Sequence, residues 1–148
     1  MNNKKKVHEG IYIDSNMFLN PILYKREENK EAKTSYNFLK RVINGEIKGY
    51  TSVLTWDELT YVVQKNISKS DALNKGQQLL LHPNLNFINT TMEIVKKSQE
   101  IIEKYNIFPR DAIHISSAVL NNISKIASFD SDFDKCELIS RIDLSALF

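Results

Sequence analysis

At 148 residues, with 42% apolar and 26% charged side chains, the chain can bury one core, and the expected arrangement is a single domain with residues 1–9 as a flexible tail. Cys136 is the only cysteine, which excludes an internal disulfide and thiolate metal clusters. No stretch reaches the ~18–20 apolar residues that span a bilayer, and Met1–Glu9 lacks the apolar core of a signal peptide, so a cytosolic location is expected. The formal charge of +2 does not by itself announce a nucleic-acid binder, although a dense acidic site would cancel basic surface elsewhere in that sum.

Strand and helix patterns alternate along the chain. Gly10-Ile11-Tyr12-Ile13-Asp14 is a β-rich run feeding a short helix around Met17-Phe18-Leu19, which Pro21 should limit. After the charged stretch Lys25–Lys33, the residues Phe38, Leu39, Val42 and Ile43 share one helical face, closed by Asn44-Gly45. Gly49–Leu54 predicts a second strand and Thr55–Lys65 a helix. Ser70–Leu81 is helical and stops at Pro83-Asn84. Leu85–Asn89 is a third strand, and Thr90 or Thr91 caps a helix with Ile94, Val95, Ile101, Ile102 and Tyr105 on one side. Pro109 opens a helix to about Asn121, Lys125–Phe129 predicts a fourth strand, and Glu137–Ile142 a fifth. Strands separated by helices predict a three-layer α/β/α sandwich around a mainly parallel sheet of four to five strands, with Rossmann-like topology.

Four acids, Asp14, Glu58, Asp111 and Asp130, each fall at a junction between a strand-like run and a helix. In a doubly wound sheet the ligand cleft lies beyond the carboxyl ends of the strands, so these side chains can converge there. Each also has an ordinary explanation. Asp14 and Asp130 suit turns, Thr55-x-x-Glu58 has the spacing of a capping box, and Asp111 near a helix start favours the macrodipole. Four coincidences of placement point instead to one shared site. Crowded carboxylates repel one another unless a cation joins them, and oxygen donors without cysteine or paired histidines favour Mg²⁺ or Mn²⁺.

The motifs around these acids resemble the PIN-domain nucleases. Ile11-Tyr12-Ile13-Asp14-Ser15-Asn16 is similar to that family's opening aspartate segment, and Thr51-Ser52-Val53-Leu54-Thr55-Trp56-Asp57-Glu58 to its helical glutamate after a Ser/Thr-rich strand. Pro109-Arg110-Asp111-Ala112-Ile113-His114 resembles its Asp-Ala-(apolar)-His helix, and Ser128-Phe129-Asp130-Ser131-Asp132-Phe133 its final acidic motif. The resemblance implies a PIN-like fold and a Mg²⁺/Mn²⁺-dependent endoribonuclease in which a metal-activated water attacks the phosphodiester. Asp14 and Asp111 would be direct ligands, Asp130 a direct or water-mediated one, and Glu58 a ligand or water-orienting base. Asp132 could replace Asp130 as the nearer acid. The compact form is similar to VapC-type toxins, which implies RNA as substrate, an antitoxin protein as partner and a homodimer. A housekeeping RNA-processing nuclease and a non-catalytic PIN-like RNA- or protein-binding module are the alternatives.

Other residues carry smaller expectations. His114 either orients Asp111 from one helical turn away or is a partly buried histidine bonded to the sheet edge. Asn16 and Ser128 either support the carboxylates or serve turn and strand-end hydrogen bonds. Asp57 should be solvated and Asp134 should cap a helix. Trp56 and Tyr61 should lie in the core or an interface, and Lys4-Lys5-Lys6 in the tail. The dehalogenase-type phosphatases want a second aspartate where Asn16 stands, and a dinucleotide site wants glycines that Asp14-Ser15-Asn16 lacks.

Overall fold

Side chains along a strand alternate between faces, and strand β1 (Ile11–Ile13) divides the core accordingly. Tyr12 joins one apolar cluster with Ile101, Ile115 and Ile126, whereas Ile13 joins a second with Met17, Phe38, Leu59 and Val63. The sheet between these clusters is parallel throughout. The computed structural model describes residues 10–147, so the expected tail with Lys4-Lys5-Lys6 lies outside the described residues. Among the described residues, no helix is long and apolar enough to cross a membrane.

The remaining strands are β2 (Gly49–Ser52), β3 (Leu85–Ile88), β4 (Lys125–Ala127) and β5 (Ser140–Arg141), in the order β3-β2-β1-β4-β5. Helices α1 (Ser15–Leu23), α2 (Lys30–Ile43), α3 (Val53–Asn66) and α4 (Lys69–Leu80) accompany β1 to β3. Helices α5 (Met92–Tyr105) and α6 (Pro109–Val119) cover the opposite face. The result is the three-layer α/β/α sandwich. From β1 the chain winds outward to β2 and β3, then crosses back to place β4 on the other side of β1. That reversal is the topological switch point, where such sheets open a crevice at the strand ends. Asp14 follows β1 and Ser128 follows β4, so the two flank it.

Several boundaries differ from the sequence expectations. Helix α1 continues two residues beyond Pro21 to Leu23; near a helix end, the missing amide forfeits one bond without breaking the helix interior. Helix α2 begins at Lys30, inside the charged stretch, because the Asn29 side chain accepts from the Ala32 amide at 2.8 Å. Strand β2 stops at Ser52 and α3 starts at Val53, so Thr55 lies within the helix. Its hydroxyl sits 2.7 Å from that of Thr51, which donates to the Ile13 carbonyl at 2.9 Å. The capping box is therefore absent and Glu58 is released from that role. Ile43 and Val95 stand at the edges of their helical stripes and are exposed, and the fifth strand contracts to Ser140–Arg141.

Candidate functional site

Asp14 caps α1 from the end of the central strand. Its Oδ1 accepts the Ser15 amide at 2.8 Å, its Oδ2 accepts the Ser128 hydroxyl at 2.7 Å, and its own amide donates to the Ala127 carbonyl. The residue is only 5% exposed. Burial raises its pKa above the usual carboxylate value, against the lowering effects of His114, Ser128 and Ser15. A buried acid that is so held, yet still reluctant to ionise, is a ready partner for a cation.

Ser128 is the hub of the switch point. While its hydroxyl donates to Asp14, its oxygen accepts from Asn16 Nδ2 at 3.1 Å and from the Asp130 amide at 3.0 Å. Both lone pairs and the single proton are thus used. Asn16 Oδ1, by contrast, is buried without a partner. Flipping the amide would not help, because Ser128 has already committed its proton to Asp14. Asn16 and Ser128 therefore tie the two strand ends together, and one polar oxygen is left over beside the acids.

A second group forms beside Asp14. His114 is fully buried, with Nδ1 2.6 Å from the Tyr12 hydroxyl, Nε2 2.5 Å from Glu58 Oε1 and 3.7 Å from Asp14 Oδ1. Among the described residues it is not bonded to Asp111, and its tyrosine partner stands on β1, the central strand, rather than at a sheet edge. Burial alone would lower its pKa, but the Tyr12 hydroxyl, the bond to Glu58 and the charges of Asp14 and Glu58 outweigh that and hold it well above the ordinary value. An imidazolium can donate from both nitrogens, which matches its two close partners. The Ser15 hydroxyl reaches Glu58 Oε2 at 3.3 Å and completes the link from α1 to α3. Tyr12 and Ser15 had no role in the motif reading. The available signal for Tyr12 was parity, because residues i and i+2 of a strand share a face and Tyr12 stands two before Asp14.

Asp111, Asp130 and Asp132 make a third group. Each offers an oxygen, and these oxygens all lie within 4.8 Å of one another. Asp130 caps the 3-10 turn Ser131–Lys135 by accepting the Asp132 amide at 2.9 Å, which folds Asp132 back beside it. Lys135 neutralises Asp132 at 3.1 Å. Asp14 and Glu58 stand outside this trio but act on Asp111. The Asp111 carboxyl is pushed up to about 6 by burial first, then by the charges of Asp14 and Asp130, with His114 opposing and Glu58 adding to the rise. An all-oxygen donor set with mutual repulsion and an unpartnered buried amide oxygen fits a hard divalent cation.

The lesser candidates sort as follows. Asp57 is exposed, as expected. Asp134 does not cap a helix; Arg141 grips it with two bonds of 2.8 and 2.7 Å, which lower its pKa. Trp56 and Tyr61 are exposed rather than core, with Trp56 lying over Gly76 of α4.

The family model for the PIN domain matches residues 11–137. The chain belongs to the PIN-domain family. "Ribonuclease VapC2" of Methanocaldococcus jannaschii is 28% identical over 149 residues, covering 97% of this chain and 100% of that one. Two solved structures share the fold at lower identity. A toxin-antitoxin complex from Klebsiella pneumoniae matches with TM-score 0.64 and 16% identity over 88% of this chain and 96% of that one. The Mycobacterium tuberculosis VapC20, described as a Sarcin-Ricin loop cleaving toxin, matches with TM-score 0.66 and 15% identity over 84% of this chain and 93% of that one. In this PIN domain the four junction acids and Asp132 all belong to the end of the sheet where the strand order reverses.

Asp130 and Asp132 can be ranked by experiment. Asp132 is partly satisfied by Lys135, whereas Asp130 is fixed by its amide to Ser128. Asp130→Asn is therefore expected to weaken Mn²⁺ binding more than Asp132→Asn in matched calorimetric titrations. The reverse order would make Asp132 the closer acid.

Proposed function

We propose that this chain is a Mg²⁺- or Mn²⁺-dependent endoribonuclease that hydrolyses RNA phosphodiester bonds in the cytosol. The observation carrying this reading is the placement of Asp111, Asp130 and Asp132 around one point, next to a buried Asp14, at the switch point of a PIN fold. Asp14 and Asp111 would hold the ion directly, Asp130 directly or through water. When bound, such an ion lowers the pKa of water and offsets charge that builds on the phosphate. Glu58, held by its bonds to His114 and Ser15, would orient or deprotonate the attacking water through Oε2. Ser128 fixes the distance between Asp14 and Asp130, and no side-chain nucleophile is needed.

The full-length likeness to a protein named Ribonuclease VapC2 and the fold shared with a toxin-antitoxin complex support a toxin role with a protein antitoxin as partner. An arginine of such a partner would suit the acidic cleft, since a guanidinium can pair with carboxylate and compete with metal.

The test is incubation of purified protein with a mixed RNA pool, with and without Mn²⁺, followed by mapping of the cut ends. Discrete cuts that need Mn²⁺ support the reading; intact RNA under both conditions rejects it. Expression of the wild-type chain alone should slow growth, and Asp14→Asn should relieve it. Harmless expression of active enzyme would assign a housekeeping role instead.

A further inference from the structure

The acids that suit the cleft to a cation make it hostile to RNA. Asp14, Glu58, Asp111, Asp130 and Asp132 set five acids against a polyanion, and two neighbouring basic groups are engaged, Lys135 by Asp132 and Arg141 by Asp134. Grip on the substrate beside these acids gains from a contact that is insensitive to charge. Stacking of a nucleobase on an aromatic ring has that property and tolerates sequence variation.

Phe108 is placed for it. The residue is the N-cap of α6 and precedes Asp111 by three positions, so its backbone lies within one turn of that acid. It is 72% exposed and belongs to no apolar cluster and no ring pair among the described residues. An apolar ring left this open contributes little to folding. Its backbone is nevertheless well defined. Asn106 turns the chain in the left-handed region at φ +52, Ile107 is buried, and Pro109 confines Phe108 to an extended conformation. The backbone beneath the ring is therefore confined, and only the side chain's own rotation remains to be ordered by a ligand. Trp56, also exposed, does not compete for this role. It lies two residues from Glu58, on a different side of α3, and packs over Gly76.

Resting on the ribonuclease reading, we infer that Phe108 is a substrate-binding residue on which a nucleobase of single-stranded RNA stacks beside the acidic site. Arg110, exposed and in no ion pair with a described residue, supplies positive charge on the same turn for an adjoining phosphate. The unpaired base is essential, because a base within a duplex already has both faces covered.

The test compares wild type with Phe108→Ala, Phe108→Leu and Phe108→Trp. Binding is read by anisotropy of an end-labelled phosphorothioate RNA in Mn²⁺, and KM and kcat by cleavage of the ordinary single strand. Alanine and leucine should each weaken binding and raise KM by about tenfold, in line with the loss of one stacked base, with kcat unchanged. Tryptophan should restore both. Melting temperature and Mn²⁺ affinity should be the same in all four proteins. Wild-type binding by Phe108→Ala, or leucine performing as well as the aromatics, would overturn the stacking role, and would assign the exposed ring to a protein partner if antitoxin affinity fell instead. If wild type binds the RNA but never cleaves it, while Phe108→Ala loses binding, the nuclease reading fails and the stacking role stands.

Discussion

Replacing Asp14 or Asp111 by asparagine is expected to reduce Mn²⁺-dependent RNA cleavage by more than about 100-fold, beyond the ~10–100-fold typical of losing a group that merely supports a ligand. Asparagine nearly preserves the volume, and at position 14 its oxygen can still cap α1 through the Ser15 amide. What disappears is charge. At position 14 there is a second consequence, because an amide NH₂ in place of Oδ2 would face a Ser128 oxygen that already accepts from Asn16 and Asp130. The serine must rotate, and the two strand ends loosen where the cation would sit. Near-ultraviolet circular dichroism should show an intact fold while end-labelled RNA stays uncut. Cleavage at the wild-type rate by both variants, from clean preparations, would remove these acids from the mechanism.

The largest stability effect is expected from His114→Ala. The imidazole is fully buried between Tyr12 and Glu58. Its removal leaves a phenol that is 0% exposed without its partner, a largely buried carboxylate without its counter-charge, and a void. Losing one member of a buried pair costs about 3–5 kcal/mol, and the unfilled volume adds to it. Urea denaturation should show a lower midpoint with an unchanged slope. A loss under ~1 kcal/mol, the centre of the distribution for ordinary point mutants, would mean that the network does not hold α3 and α6 together.

Much of this arrangement was legible before any coordinates. Asp14 and Asp130 were visible because short apolar runs ended on them, and the alternation of strands and helices was enough to place strand ends on one side of a parallel sheet. Contacts between distant segments were harder. Nothing local marks His114 as the partner of Glu58, 56 residues away, because the contact exists only once α6 and α3 lie across the same strand. The start of α3 was misplaced because Ser52 caps it without a side-chain bond, and a cap without a hydrogen bond leaves no residue signature. The start of α2 was hidden for the opposite reason, its asparagine cap being buried in a run of charges. Ile43 and Val95 show that an apolar stripe blurs at its edges, where one helical step separates core from solvent.

The pKa shifts lead to the remaining prediction. Because the folded state holds the Asp111 proton more tightly than the unfolded chain does, this group supports folding fully below its ordinary value of 3.8, and that contribution is lost as pH rises through about 6. Asp14 is shifted in the same direction. His114, also raised, loses its contribution only above 6.5 and so lies outside that window. Stability of the metal-free protein should therefore fall between these pH values and recover when a cation neutralises the acids.

Thermal melting of wild type and Asp111→Asn at pH 7, in chelator and in saturating Mn²⁺, tests the shared cation site most directly. Carboxylates gathered for a cation require Asp111→Asn to melt higher than wild type in chelator and to respond far less to Mn²⁺, while wild type gains stability when the metal is added. A variant that melts no higher than wild type without metal, and that gains as much from Mn²⁺, would contradict a common metal site at the end of this sheet.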